Sequence, residues 1–445
     1  MPTRSLSIGT RILEVRGKAA RVFSLVDQNG MPGLRLTPGE RFALTLKNNN
    51  RDATTVHWHG QTPAPEMDGV ADTGYVTPLA ADEARDFDFA PRSGTHWMHS
   101  HHELQEQLLL TAPLVVLTAE DVAADVQDVT VLLNDFSFTD PRELYSRLVG
   151  GTGGDMSGMG GMEGMSHTSS AAGMMSMDMD LNDIAYDAFL ANDRTLDDPL
   201  VVRTERNGRV RLRIINGAAS TAFWLDLGPA TATVVAIDGN VVMPIEASRF
   251  PLAQAQRIDL LVDVPAGAAI PIFARREGDV AQTGFVLAAP GATIVRHDSE
   301  AGDTEKPIDL SLEAQLRAVA PLAPRDADVR HVVMLTGSMA PYSWTIDDRT
   351  WAQRQPLEIT KGQRVEIEFM NHTMMAHPMH LHGHHFQVVK IGSQAVPGAM
   401  RDTVLVPPMQ TVTIAFDADN PGRWLYHCHN LYHMMAGMMS EVAYV

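Results

Sequence analysis

Short apolar runs separated by turn residues make up most of the chain. Runs rich in Val, Ile, Thr and Phe recur between Gly, Pro and Asn, for example at residues 41–47 (RFALTLK), 111–118 (TAPLVVLT), 129–133 and 257–264. Runs of this length with turn residues at both ends are typical of antiparallel β-sandwiches and not of helices. The pattern therefore predicts an all-β protein.

The chain also repeats itself at long range. The segment TPGERFALTLKNN (37–49) has a counterpart in TKGQRVEIEFMN (360–371), and each is followed shortly by a His-x-His-Gly sequence. A third copy, NGRVRLRIIN (207–216), has no such sequence after it, while SGTHWMHSH (93–101) aligns with PGRWLYHCH (421–429). Three related β-domains are the simplest explanation.

A chain of 445 residues exceeds the size at which one hydrophobic core stops growing, roughly 250 to 300 residues. We expect domains at 1–122, 123–305 and 306–445, because the stretch 300–328 is charged and proline-bearing, as linkers are. Inside the second domain, residues 155–180 form a glycine- and methionine-rich insertion with no hydrophobic period. Such composition predicts a loop.

Charge and cysteine content narrow the possible partners. The formal charge of −19 disfavours binding to nucleic acid or to anionic membranes, and no apolar run of about 18 residues could span a bilayer. One cysteine excludes an intramolecular disulfide. The negative charge is compatible with a soluble monomer, which we expect. The first residues lack a signal-peptide h-region, so if the protein is exported, its export signal is absent from this chain.

Histidines occur in four pairs with the spacing His-x-His. The pairs are His57/His59, His99/His101, His380/His382 and His427/His429. Residues i and i+2 of a β-strand face the same side, so each pair presents two imidazoles together. Eight imidazoles can converge if the first and last domains pack against each other, and imidazole suits copper, zinc, iron and nickel. Chance surface histidines explain one such pair but not four.

The single cysteine, Cys428, lies between two of these histidines. Because His427 and His429 face one side of the strand, Cys428 faces the other, where its thiolate can bind a second metal. Two imidazoles, a thiolate and an axial methionine make a blue-copper electron-transfer site, and His377, His433 and Met438 are available as the remaining ligands.

With these motifs the sequence closely resembles the three-domain multicopper oxidases, and among them the bacterial copper-resistance oxidases of the cuprous-oxidase and laccase-like type. HWHG, HWMHSH, HPMHLHG and HCHNLYHMMAGM stand in the family's order. The resemblance implies three cupredoxin-like Greek-key β-sandwich domains and four copper ions. By this resemblance His57 and His380 would hold type 2 copper, His59, His99 and His429 one type 3 copper, His101, His382 and His427 the other, and His377, Cys428, His433 and Met438 type 1 copper.

Acidic residues near these motifs allow two interpretations. Asp68, in PEMDGV, matches an acidic residue that in relatives helps deliver protons to reduced oxygen, whereas the alternative is a turn aspartate in an Asp-Gly pair. We interpret Glu106 as structural. Some relatives have a glutamate where this chain has Met434, so the resemblance gives no proton path through that position.

Methionine is unusually frequent, with 25 residues. Thioether sulfur selects Cu(I), so the insertion has two interpretations, an additional Cu(I) site or a tolerated disordered loop. Its methionines are Met156, Met159, Met162, Met165, Met174, Met175, Met177 and Met179.

The resemblance implies one-electron oxidation of Cu(I) or phenolic substrates at type 1 copper, coupled to four-electron reduction of O2 at the trinuclear cluster. The expected role is copper tolerance in a bacterial periplasm. A laccase-like phenol oxidase without that role, or a copper-sequestering protein, is the alternative.

Overall fold

The structure is a computed structural model that describes residues 4–150 and 181–445. Within these residues the strands form six sheets, two from each third of the chain. The predicted all-β class is confirmed. The boundaries at 122/123 and 305/306 remain predictions, and the methionine-rich insertion at 155–180 lies outside the described residues.

The first sandwich contains two four-stranded sheets around a core that includes Leu44, Trp58 and Leu114. In one of them His57–His59 forms an edge strand beside Gly94–His99. The strands are Arg4–Val15, Lys18–Asp27, Leu34–Leu36, Phe42–Asn48, His57–His59, Ala84–Phe89, Gly94–His99 and Thr111–Val116.

The middle sandwich has a six-stranded and a five-stranded sheet around Leu212, Phe223 and Ile258. Its strands are Gln127–Phe136, Ala188–Ala191, Leu200–Arg203, Gly208–Asn216, Phe223–Asp226, Ala232–Ile237, Asn240–Ala247, Arg249–Leu252, Arg257–Val264, Ala269–Arg276 and Gln282–Ala288.

The third sandwich has a seven-stranded and a five-stranded sheet around Val333, Ile367 and Ile414. Its strands are Val329–Met339, Tyr342–Ile346, Leu357–Ile359, Arg364–Asn371, His377–Leu381, Phe386–Ile391, Gln394–Ala395, Met400–Arg401, Thr403–Val406, Thr411–Asp417, Arg423–Cys428 and Met439–Tyr444.

Short helices connect the strands. The α-helices are Ala119–Ala123, Pro141–Val149 and Leu431–Met435, and the 3-10 helices are Pro65–Met67 and Trp351–Gln353. Within the part of the chain that the structure describes, no helix has the length and apolar character needed to cross a membrane.

An asparagine at the end of one strand in each sandwich accounts for the sequence repeat. Asn48, Asn216 and Asn371 are buried, and the side-chain oxygen of each accepts the backbone N–H two residues further on. Each side-chain amide also donates to backbone carbonyls of a neighbouring loop. This Asx turn ends the strand and directs the chain into the next loop, which carries histidines in the first and third copies only.

We expect replacement of the fully buried Leu212 by Ala to destabilise the middle sandwich by about 2–5 kcal/mol, because the substitution removes apolar contacts and leaves a cavity. Urea unfolding followed by tryptophan fluorescence measures this. The exposed Val241, replaced by Ala, is the control, with an expected change within about 0.5 kcal/mol. Equal effects of the two substitutions would contradict the core assignment.

Candidate metal centre

The four His-x-His pairs lie together where the first and third sandwiches meet. Strand pairing places His57 opposite His99 in the first sandwich and His380 opposite His427 in the third. Across the interface, the ring centroids of His59 and His380 are 3.7 Å apart. The expected convergence of imidazoles therefore occurs, and it joins the two ends of the chain.

The eight rings are buried, and several of them form groups of three whose ligand nitrogens all lie within 4.8 Å of one another. The Nε2 atom of His427 lies 3.1 Å from Nε2 of His382 and 3.4 Å from Nε2 of His101. The Nε2 atoms of His99 and His429 are 3.4 Å apart. These are the members that the resemblance assigns to the two type 3 positions.

In seven of these rings an oxygen of the protein lies near the Nδ1 atom, and Nε2 faces the cluster. Backbone carbonyls lie near Nδ1 of three rings: that of Asp68 for His57 (3.2 Å), that of Asp402 for His380 (2.8 Å) and that of Cys428 for His427 (3.0 Å). Carboxylates lie near Nδ1 of the other four: Glu106 for His99 (2.7 Å), Asp72 for His101 (3.3 Å), Asp68 for His382 (2.9 Å) and, more distantly, Glu106 for His429 (4.0 Å).

His59 has the opposite orientation. Its Nε2 atom lies 3.0 Å from a carboxylate oxygen of Asp402 and 3.2 Å from the hydroxyl of Thr403. Its Nδ1 atom has no hydrogen-bond partner among the described residues, and neither do the Nε2 atoms of His57 and His380. Buried nitrogens are rarely left unpartnered, so these three are suited to binding a metal.

Burial favours the neutral form of several of these imidazoles. It lowers the pKa of His382 and of His429 to about 3, and it lowers the pKa of His59, His99 and His380 well below the ordinary value. A neutral imidazole offers a lone pair to a metal, whereas an imidazolium does not. These five rings are therefore available as metal ligands at neutral pH.

The predicted second site lies on the other side of the Arg423–Cys428 strand. Nδ1 of His377 and Nδ1 of His433 are 3.1 Å apart, and each lies 3.6 Å from the sulfur of Cys428. All three are buried, as is Met438, whose carbonyl accepts the N–H of Cys428. Burial raises the pKa of the Cys428 thiol, so the thiolate requires a bound cation.

The donor chemistry of both groups fits copper. Neutral imidazoles, a thiolate and a thioether are soft or borderline ligands, and the three-ligand set of His377, Cys428 and His433 matches a blue-copper site. Cys428 is bonded to His427 and His429, which belong to the larger group. A covalent path therefore links the two sites.

Carboxylates that the sequence analysis did not select surround these ligands. Asp402 and Asp72 contact the histidine cluster, and an oxygen of Asp183 lies 3.2 Å from Nε2 of His433. Glu106, interpreted as structural, lies against His99. Asp402 and Asp183 are far in sequence from the histidines they contact, so no local motif could have indicated them.

Asp68 contacts two of the histidines. Its carboxylate lies 2.9 Å from Nδ1 of His382 and 3.3 Å from Nδ1 of His57. Burial alone would raise the pKa of Asp68, but the two rings hold this pKa below its ordinary range. Asp68 is thus an ionised group at the edge of the cluster.

Sequence models of the multicopper oxidase family match three successive parts of the chain, residues 9–121, 127–285 and 324–445. The protein belongs to the multicopper oxidase family. It is accordingly an oxidoreductase that has copper as cofactor and O2 as electron acceptor.

Two relatives are similar over nearly the whole chain. The multicopper oxidase MmcO of Mycobacterium tuberculosis is 33% identical over 434 residues, which are 95% of this chain and 84% of the relative. Copper resistance protein A of Pseudomonas syringae pv. tomato is 27% identical over 98% of this chain and 92% of the relative.

Solved structures agree on the fold. The Fet3p multicopper oxidase superposes with a TM-score of 0.79 at 19% identity, covering 99% of this chain and 90% of that one. A laccase from B.aclada gives a TM-score of 0.80 at 21% identity, covering 99% and 87%. The predicted three-domain cupredoxin-like fold is confirmed.

We expect Cys428→Ser to abolish the blue absorption and steady-state O2 consumption, because the thiolate ligand is lost and, with it, the bond that would connect copper to the His427–His429 segment. The histidine cluster should still bind copper, so copper content should fall only partly. Absorption spectroscopy and elemental analysis on the copper-loaded protein test this. Retention of the blue band would exclude Cys428 as the ligand.

Proposed function

We propose that the protein oxidises Cu(I) and reduces O2 to water, and that it serves copper tolerance in the periplasm. The observation that carries the proposal is that the described residues on both sides of the methionine-rich segment contact the surroundings of His433. Relatives named for copper resistance support the same role.

The helix Pro141–Val149, which precedes the segment, packs on the third sandwich. Leu144, Tyr145 and Leu148 join its hydrophobic core, and the hydroxyl of Tyr145 donates to the carbonyl of Met435, 3.1 Å away. Met435 is two residues from His433. The chain therefore leaves towards the segment from a point beside the proposed type 1 site.

The chain returns at the same place. The side chain of Asp183 is buried, lies 3.2 Å from Nε2 of His433, and accepts hydrogen bonds from Asn430 (2.7 Å) and from the hydroxyl of Tyr342 (3.1 Å). The described residues that flank the methionine-rich segment therefore both contact the surroundings of His433. This supports a role of the segment in supplying Cu(I) to that histidine. Binding of additional Cu(I) by that segment is part of the proposal.

Thioethers also lie close to the other histidine of this site. Met374 and Met375 precede His377 in HTMMAH, and Met374 is 54% exposed whereas Met375 is buried. Soft sulfur favours Cu(I) over the harder Fe(II). This composition supports a cuprous substrate.

We assign the copper ligands as the resemblance implies, with the His377, Cys428, His433 and Met438 set as type 1 and the eight paired histidines as type 2 and type 3. Bound copper would supply one-electron transfer at the first set and O2 reduction at the second. Cys428 connects the sets through His427 and His429. Four Cu(I) ions give up four electrons per O2, and four protons are consumed as two waters form.

Asp68 is the proposed proton relay. Its ionised carboxylate is buried between His57 and His382, so it can accept a proton transiently and pass it on towards the place where oxygen is reduced. Glu106 holds His99 in position from the opposite side.

A laccase-like phenol oxidase is the second candidate, since several relatives are named laccases. Direct contact of a phenol with His433 conflicts with the position of Asp183 against its outer nitrogen. A copper-sequestering protein would retain its role in Cys428→Ser, whereas an oxidase would not.

We expect deletion of residues 155–180 to slow Cu(I) oxidation more than oxidation of a phenol, because only Cu(I) uses thioether sulfur. Oxygen uptake with each substrate, corrected for the uncatalysed rate, is the measurement, and the intact protein should prefer Cu(I). Equal losses on both substrates would remove the case for a copper-handling segment, and preference of the intact protein for the phenol would favour the laccase.

We expect Asp68→Asn to slow O2 reduction by about 100-fold or more, the usual contribution of a positioned proton donor or acceptor. The amide keeps the shape but cannot carry the proton. Anaerobic reduction of the blue site by Cu(I) is the internal control and should be unchanged. If both steps slow equally, Asp68 has a structural role.

A further inference from the structure

The middle sandwich contributes none of the proposed ligands, yet one of its arginines reaches the histidine cluster. Arg257 begins the strand Arg257–Val264 and its side chain is fully buried. Its Nη1 donates to one carboxylate oxygen of Asp402 at 2.7 Å, and its Nη2 donates to the other. The guanidinium thus holds Asp402 with two parallel hydrogen bonds, the geometry that fixes a carboxylate most firmly.

Asp402 in turn holds His59, the ring whose orientation is reversed. The same oxygen that accepts from Nη1 lies 3.0 Å from Nε2 of His59 and accepts the hydroxyl of Thr403 at 2.9 Å. The backbone carbonyl of Asp402 also accepts from Nδ1 of His380. Asp402 therefore orients two proposed ligands. Its carboxylate holds His59, and its backbone carbonyl holds His380.

Arg257 is itself fixed on all sides. Its backbone N–H donates to Asp238 at 2.9 Å, its Nη1 to the carbonyl of Ala255 at 2.9 Å, and its Nε to the carbonyl of Thr95 in the first sandwich at 3.2 Å. Asp238 also accepts from Arg401 at 3.0 Å.

Arg401 pairs with Glu313 at the far end of this network. The buried charges alternate in sign from Glu313 through Arg401, Asp238 and Arg257 to Asp402.

The glycine of the first histidine motif makes room for this arrangement. A Cβ at Gly60 would lie 2.6 Å from Nη2 of Arg257 and 2.8 Å from a carboxylate oxygen of Asp402, and its φ of +86° disfavours other residues. Gly60 in HWHG thus lets the Arg257–Asp402 pair approach the strand that carries His59.

We propose that Arg257 is a positioning residue through which the middle sandwich, which supplies none of the paired histidines, sets the ring orientation of His59, so that Nδ1 faces the trinuclear site. The inference rests on the ligand assignment of the proposed function. Without the guanidinium fork, Asp402 loses the two parallel hydrogen bonds that fix its carboxylate, and the carboxylate can shift. Nε2 of His59 then loses its fixed acceptor.

The test is Arg257→Lys in the full-length, copper-loaded protein, with Arg213→Lys as the matched control. Arg213 is equally buried, belongs to the same domain, and also contacts Thr95, by a 3.0 Å hydrogen bond to its hydroxyl. Its carboxylate partners Asp121, Asp128 and Asp259 do not contact any of the proposed ligands among the described ion pairs and hydrogen bonds. Both substitutions keep the positive charge and lose the guanidinium fork.

We expect Arg257→Lys to lower copper retention by the histidine cluster and kcat by about 10- to 100-fold, the usual effect of losing a group that orients a metal ligand. The blue absorption and the KM for Cu(I) should be unchanged, because the Cys428 site is not touched. Arg213→Lys should lower Tm without changing copper content or kcat. If both variants lose only Tm, the proposal is wrong.

Asp402→Asn tests the contact between Arg257 and His59 at Asp402 itself, and it replaces Arg257→Lys as the test variant if that protein does not fold. Because Arg257 acts through Asp402, the double variant should bind copper no worse than Asp402→Asn alone, and additive losses would contradict that path. Failure of the unsubstituted protein to bind copper at the histidine cluster would instead overturn the proposed function.

Discussion

The structure depends on burying eight imidazoles in the interface between the two ends of the chain. Burial alone disfavours their charged forms, and every nitrogen that faces away from the cluster needs an acceptor. Among the described residues, Nε2 of His57 and Nε2 of His380, which face inward, have no hydrogen-bond partner. Metal binding would satisfy them, so copper is expected to contribute to the association of the first and third sandwiches.

Local strand geometry explains how much of the site the sequence could predict. The period of two along a strand identifies His57 and His59 as neighbours on one face and separates Cys428 from its flanking histidines. The sequence repeat that includes Asn48, Asn216 and Asn371 likewise predicted three sandwiches. It was visible in the sequence because each asparagine forms a local turn with the residue two positions further on. Features with short sequence separation were therefore predictable.

The groups that orient the ligands could not be predicted in this way. Asp402 lies 343 positions from His59, and Asp183 belongs to a different sandwich from His433. Glu106 is only seven positions from His99, but no periodicity specifies a loop side chain, so its contact was missed. Which nitrogen of a histidine faces the metal depends on these partners, and only the packed structure reveals them.

The middle sandwich illustrates why a repeat without ligands is still required. Its copy keeps the strand Gly208–Asn216 and the Asx turn at Asn216, whereas the following loop has Ala and Ser where the other copies lead to histidines. It reaches both metal sites nonetheless, His433 through Asp183 and His59 through Arg257 and Asp402. A domain that carries no ligand can hold ligands from two others only if it packs against both, which explains why its buried charges lie at the junction of all three sandwiches.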